Sequence, residues 1–117
     1  CRYEIWPREN ASQCLRGTWV VVAGGSNTVL MSMGIANLLS PEAINPINDH
    51  ASMGSTTVVD VIIENGTVTY KNSSLIEGCT NRGYPAECQE LIRQHIAQAP
   101  EYSATATRVT QFIAQYW

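Results

Sequence analysis

An apolar run rich in β-branched residues breaks on two glycines at Trp19-Val20-Val21-Val22-Ala23-Gly24-Gly25-Ser26-Asn27-Thr28. An apolar stretch compatible with a helix, Val29 to Leu39, follows at once. Five apolar residues bounded by glycine read as a short buried strand of the parallel-sheet type. The glycines then supply a tight turn into a helix. The pattern therefore predicts a strand–turn–helix unit with Ser26 at its junction. The free N–H groups and positive dipole end of the first helical turn lie there. Such a junction suits a nucleophile or a bound anion.

The rest of the chain gives this unit a small mixed domain. The 117 residues suit one compact domain or part of a larger one. Apolar residues make up 44% and charged residues 15% of the chain, enough for a core. The net charge of −3 and the pI near 5.2 leave no basic footprint for nucleic acid. No apolar run reaches the roughly 18–20 residues of a membrane span. Residues 1–17 read as an extended arm docked through Tyr3, Ile5 and Trp6, with Pro7 arguing against a regular helix through it. Thr28 to Leu39 is apolar nearly all round and reads as a buried helix, stopped at Ser40-Pro41. Residues 40–56 are loop-like. Thr57 to Ile63 reads as a second strand, and Asn65-Gly66 as a type I′ turn into a strand over Thr67–Lys71.

A polar loop spans 72–85, and an amphipathic helix spans 86–99. Cys88, Leu91, Ile92, His95, Ile96 and Ala99 lie on one side of that helix, and Pro100 ends it. Val109, Phe112, Ile113, Tyr116 and Trp117 repeat at helical spacing, so a last helix is expected from near Ser103. The chain begins at Cys1 and ends inside that pattern without a cap, as expected of a processed or incomplete piece of a longer precursor. The order strand, helix, hairpin, helix, helix predicts an α/β fold: a short, mostly parallel sheet, a hairpin and about three helices. A right-handed crossover would join the first two strands.

Four cysteines allow three pairings. Closure of the shortest loops favours Cys1–Cys14 and Cys79–Cys88, the first clasping the arm of residues 1–17 ahead of the α/β body of residues 18–117. Neither pair has CxxC spacing and the chain holds two histidines, so no zinc site is expected. Three sequons, at Asn10, Asn65 and Asn72, accompany the cysteines, and Asn65 falls on the hairpin tip. Together these features predict a secreted or lumenal glycoprotein.

The arm Cys1-Arg2-Tyr3-Glu4-Ile5-Trp6, then Ala11, Cys14-Leu15 and the run Arg16-Gly17-Thr18-Trp19 through Asn27, resembles the N-terminal part of SGNH hydrolases. The closest group is the PC-esterase branch, which includes lumenal glycan O-acetyltransferases. The resemblance covers roughly the first 40 residues. It implies a partial three-layer, flavodoxin-like α/β fold in which Ser26 stands at the nucleophile position. Gly24, Gly25 and Asn27 would then form the turn and the oxyanion surroundings. Gly25 stands where the family's Gly-Asp-Ser motif has aspartate, and the family's Asp-x-x-His motif has no counterpart. A serine hydroxyl without a base is a poor nucleophile near neutral pH.

Each candidate also has a structural reading. Ser26 suits a helix N-cap, a role compatible with catalysis. Asn27 is an ordinary first-turn residue. Asp49 cannot easily orient its neighbour His50, which reads as a loop histidine. His95 reads as a partly buried core histidine. Asp60 interrupts Val58-Val59-Asp60-Val61-Ile62-Ile63, and the favoured reading puts it on a solvated strand face, since burial would demand a partner. Without a Walker lysine or GxGxxG, Gly24-Gly25-Ser26 is not a nucleotide loop, and no cofactor is implied. Two functions remain. One is a non-catalytic SGNH-like interaction module that meets a protein partner, or the rest of its precursor, through the C-terminal helix. The other is a serine esterase or O-acyltransferase acting on glycans, completed by a missing segment or a second chain.

Overall fold

The computed structural model describes residues 7–43, 57–75 and 86–113. Their elements, in chain order, are α1 (Arg8–Cys14), β1 (Trp19–Gly24), α2 (Ser26–Leu39), β2 (Thr57–Glu64), β3 (Thr67–Leu75), α3 (Ala86–Ala97) and β4 (Thr107–Ile113). The four strands form one sheet in the order β1-β4-β2-β3. Only β1 and β4 run parallel; β4–β2 and β2–β3 are antiparallel. The class is mixed α/β, but the sheet is mostly antiparallel rather than mostly parallel.

The departure has one source. Residues 107–113 form a strand, where helical spacing of the apolar residues predicted a helix. Thr107, Val109, Thr110 and Ile113 are β-branched and resist helix. Their alternation also sends Val109 and Gln111 to one face and Arg108, Thr110 and Phe112 to the other. This strand inserts between β1 and β2, which therefore run antiparallel, and no crossover joins them as neighbours. The supposed docking helix at the C-terminus is thus β4, with Phe112 partly buried against Val58, Cys88 and Ile92. Residues 114–117 lie outside the described residues.

Residues 8–14 are likewise helical rather than an extended arm. Pro7 supplies the N-cap with φ −64° and ψ 152°, a position that asks no N–H of it. Ala11 then packs into the main core. Arg8 Nε donates to Leu38 O at 2.9 Å, a cation on the last carbonyls of α2. Tyr3, Ile5 and Trp6 lie outside the described residues.

The sheet carries a core on each face. Val59, Val61, Ile63 and Val109 meet Val29, Met33, Ala36 and Leu39 of α2. On the opposite face, Val58 meets Cys88 and Ile92 of α3, with Ile96 and Phe112 beside them. Helices thus cover both sides, and β2, buried from Val58 to Ile63, is central. α2 is not buried all round: Leu30 and Met31 are each 62% exposed. The β2–β3 hairpin turns at Asn65 (φ 50°) and Gly66 (φ 76°), the paired positive φ values of a type I′ turn.

Candidate functional site

The strand–turn–helix unit forms as its residues predict. β1 ends at Gly24, whose φ of 154° favours glycine and whose missing Cβ would lie 2.5 Å from Thr28 Cγ2. Gly25 is the N-cap of α2, and Ser26 is its first helical residue rather than the cap. Thr28 secures the turn: its Oγ1 donates to Gly25 O at 2.6 Å, and its N–H to the same oxygen at 3.0 Å. Gly25 has no atom within 4 Å of the place a Cβ would take, and Asn27 is exposed.

The second polar constellation surrounds Asp60. Far from facing solvent, Asp60 is fully buried. Its Oδ1 accepts from Arg108 Nε at 2.9 Å and from Thr110 Oγ1 at 2.8 Å, and its Oδ2 accepts from Arg108 Nη2 at 2.6 Å. Register makes this possible: Asp60 lies opposite Thr110, while Arg108 lies opposite Ile62 on one side and Trp19 on the other. Trp19 Nε1 donates to Thr110 Oγ1 at 2.8 Å, and the Trp19 ring lies 4.7 Å from the guanidinium carbon of Arg108. Arg108 Nη2 also reaches Ile96 O at 2.7 Å, tying the end of α3 to the sheet. The bidentate bond and Asp60's negative charge hold the Arg108 pKa above its ordinary value.

His95 projects from α3 into this region. It is buried, and its Nε2 has no hydrogen-bond partner. Burial lowers its pKa; the charge of Asp60 opposes that shift and the charge of Arg108 adds to it. The expectation of a core histidine at this position agrees with its burial.

The buried network lies across the sheet from the first half of β1. Arg108 is level with Trp19, while Thr110 and Asp60 are level with Val21, about 10 Å along β1 from Gly24 at about 3.3 Å per residue, and Asp60 stands two strands across from β1. Asp60 and His95 are therefore not brought to Ser26. Asp49 and His50 lie outside the described residues. Among the described residues, no group of three or more His, Cys, Asp or Glu is arranged to hold a metal ion. No described helix is long and apolar enough to cross a membrane.

Arg108 and Thr110 carry the buried network, and no sequence motif marks either. The available signal was Asp60 itself, a carboxylate in an apolar run that can be buried only with a partner. Arg108, flanked by the β-branched Thr107 and Val109, was the cation able to reach it.

Cys88 is disulfide-bonded, and its expected partner Cys79 lies outside the described residues. Cys14 is exposed and free rather than clasped to Cys1, which also lies outside them. Its place on the short helix α1, instead of an extended arm, sets its position. Of the sequons, Asn10 on α1 and Asn65 at the hairpin tip are exposed, while Asn72 sits half-buried in β3 opposite Asp60. Comparison with known proteins finds no match to a family model, a curated sequence or a solved structure.

Proposed function

We propose that this chain is a secreted or lumenal glycoprotein of SGNH-like type, related to the PC-esterase branch, that serves as a non-catalytic structural or interaction module. One observation carries the reading. The buried carboxylate and imidazole of the described residues, Asp60 and His95, gather with Arg108 on the α3 face of the sheet, with Asp60 two strands across from β1, and not at Ser26. A hydroxyl nucleophile needs a base within hydrogen-bond reach. Asp60 is instead bonded to Arg108 and Thr110. Exposed Trp19 and Val21, two apolar side chains on one face of β1, support an interaction role, because contiguous apolar surface marks contacts.

The second reading is acyl transfer on a glycan hydroxyl, and the position of Ser26 favours it. A serine on the first turn of a 14-residue helix, directly after a strand and two glycines, stands at the positive dipole end of that helix, a setting suited to an oxyanion. In that case a base arrives from a further segment or a second chain. Hydrolysis of an activated acetyl ester by the purified protein separates the two. The module reading predicts equal rates for the wild type and Ser26→Ala; a wild-type rate at least tenfold higher supports the esterase.

A further inference from the structure

We propose that two copies of this chain pair through the free edges of β1, antiparallel about a two-fold axis, to form one continuous sheet. The two edges of the sheet differ in character. β3 carries Lys71, polar residues at most positions and a register shift in its pairing between Ile62 and Ile63, all features that guard an edge against further strands. β1, Trp-Val-Val-Val-Ala-Gly, has no charge, proline or bulge. Its Trp19 and Val21 are each 49% exposed. Among the described residues, it is the one apolar edge left unguarded.

The backbone specifies how a partner fits. Arg108 N–H donates to Thr18 O at 3.0 Å, so Thr18, Val20 and Val22 direct their peptide groups toward β4. The N–H and C=O groups of Trp19, Val21 and Ala23 therefore point to the open edge. A second β1 running antiparallel satisfies all of them in a single register. Val21 lies opposite Val21, and Trp19 opposite Ala23, each pair exchanging both hydrogen bonds. Slipping by two residues leaves one pair on each copy unmatched. The same register sets the large Trp19 ring beside the small Ala23 and continues an apolar strip across the axis.

Charge also favours a second copy. A two-fold contact brings each central residue close to its own image, so a charge there would meet a like charge. Trp19 through Leu39, which spans β1 and α2, contains no Asp, Glu, Lys, Arg or His, although the whole chain carries a net charge of −3. The contact is small. A six-residue strand pair falls at the low end of interface area, below about 1,200 Å², where association is weak. This inference rests on the interaction reading above and names the partner.

Sedimentation of the 117-residue chain over about 1–300 μM tests it, a range that reaches the weak association expected of so small a contact. The expected result is a monomer–dimer equilibrium that Val21→Lys weakens at least tenfold, with an unchanged circular dichroism spectrum and unfolding midpoint. In a Cys1→Ser, Cys14→Ser background, Val21→Cys should form an interchain disulfide under mild oxidation, because opposed Cα atoms about 5.5 Å apart suit one. A chain that stays monomeric throughout overturns the proposal, as does a dimer unaffected by Val21→Lys. Either outcome leaves the esterase comparison at Ser26 standing on its own result.

Discussion

Two adjacent glycines hold the turn at Ser26 in different ways, and substitutions distinguish them. At Gly24 a side chain meets both a positive φ and Thr28, so Gly24→Ala should cost about 1–3 kcal/mol in urea unfolding. At Gly25 the backbone is extended and the space is open. Aspartate is a preferred N-cap and its charge complements the helix dipole, so Gly25→Asp should stabilise the protein by about 0.5 kcal/mol. That change also creates a Gly-Asp-Ser tripeptide. Asp60 poses the reverse case, a charge held only by its partners. Asp60→Ala should cost about 3–5 kcal/mol, since it leaves Arg108 buried and unpaired. Replacing Asp60 and Arg108 together by leucine and methionine should recover much of that loss in a double-mutant cycle.

At the scale of elements, β1, α2, the hairpin and α3 were readable because local pattern and tertiary environment agree. Val20 to Val22 are β-branched between glycine-rich turns, Asn65-Gly66 fits one hairpin type, and Cys88, Ile92 and His95 share a helical face. β4 was not readable. Its apolar residues fit a helical stripe, and its β-branched residues decide for strand only when β1 and β2 offer it two partners. α1 is hard to see in the sequence because proline, a breaker inside a helix, here stands just ahead of the first turn, where it starts one.

The attachment of α3 carries a pH prediction. Burial lowers the pKa of His95, so the native state favours the neutral imidazole. Its stabilising effect is complete above the unfolded value near 6.5, and it is lost as pH falls through that value toward the lower native one. The charged groups acting on His95 are Asp60 from β2 and Arg108 from β4, which are paired with each other. Urea midpoints should therefore fall between about pH 7.5 and 5, and His95→Leu should flatten that fall. Equal slopes for the two proteins would remove His95 from the explanation.

Across the described residues, a four-stranded sheet between helices places Ser26 just past one end of β1 and a buried polar network across the sheet from its first half. The serine was legible as a position, because its turn is local in sequence. The network was not, because it joins residues 48 apart through strand register. In a secretory host, the exposed tip Asn65 should carry N-glycan at higher occupancy than half-buried Asn72, read from the deamidation mass shift after glycosidase treatment. The central claim concerns Ser26, and covalent labelling tests it most directly. Intact folded protein should remain unmodified by a serine-directed fluorophosphonate under conditions that fully label a known serine hydrolase. Stoichiometric modification mapped to Ser26 would contradict the non-catalytic reading.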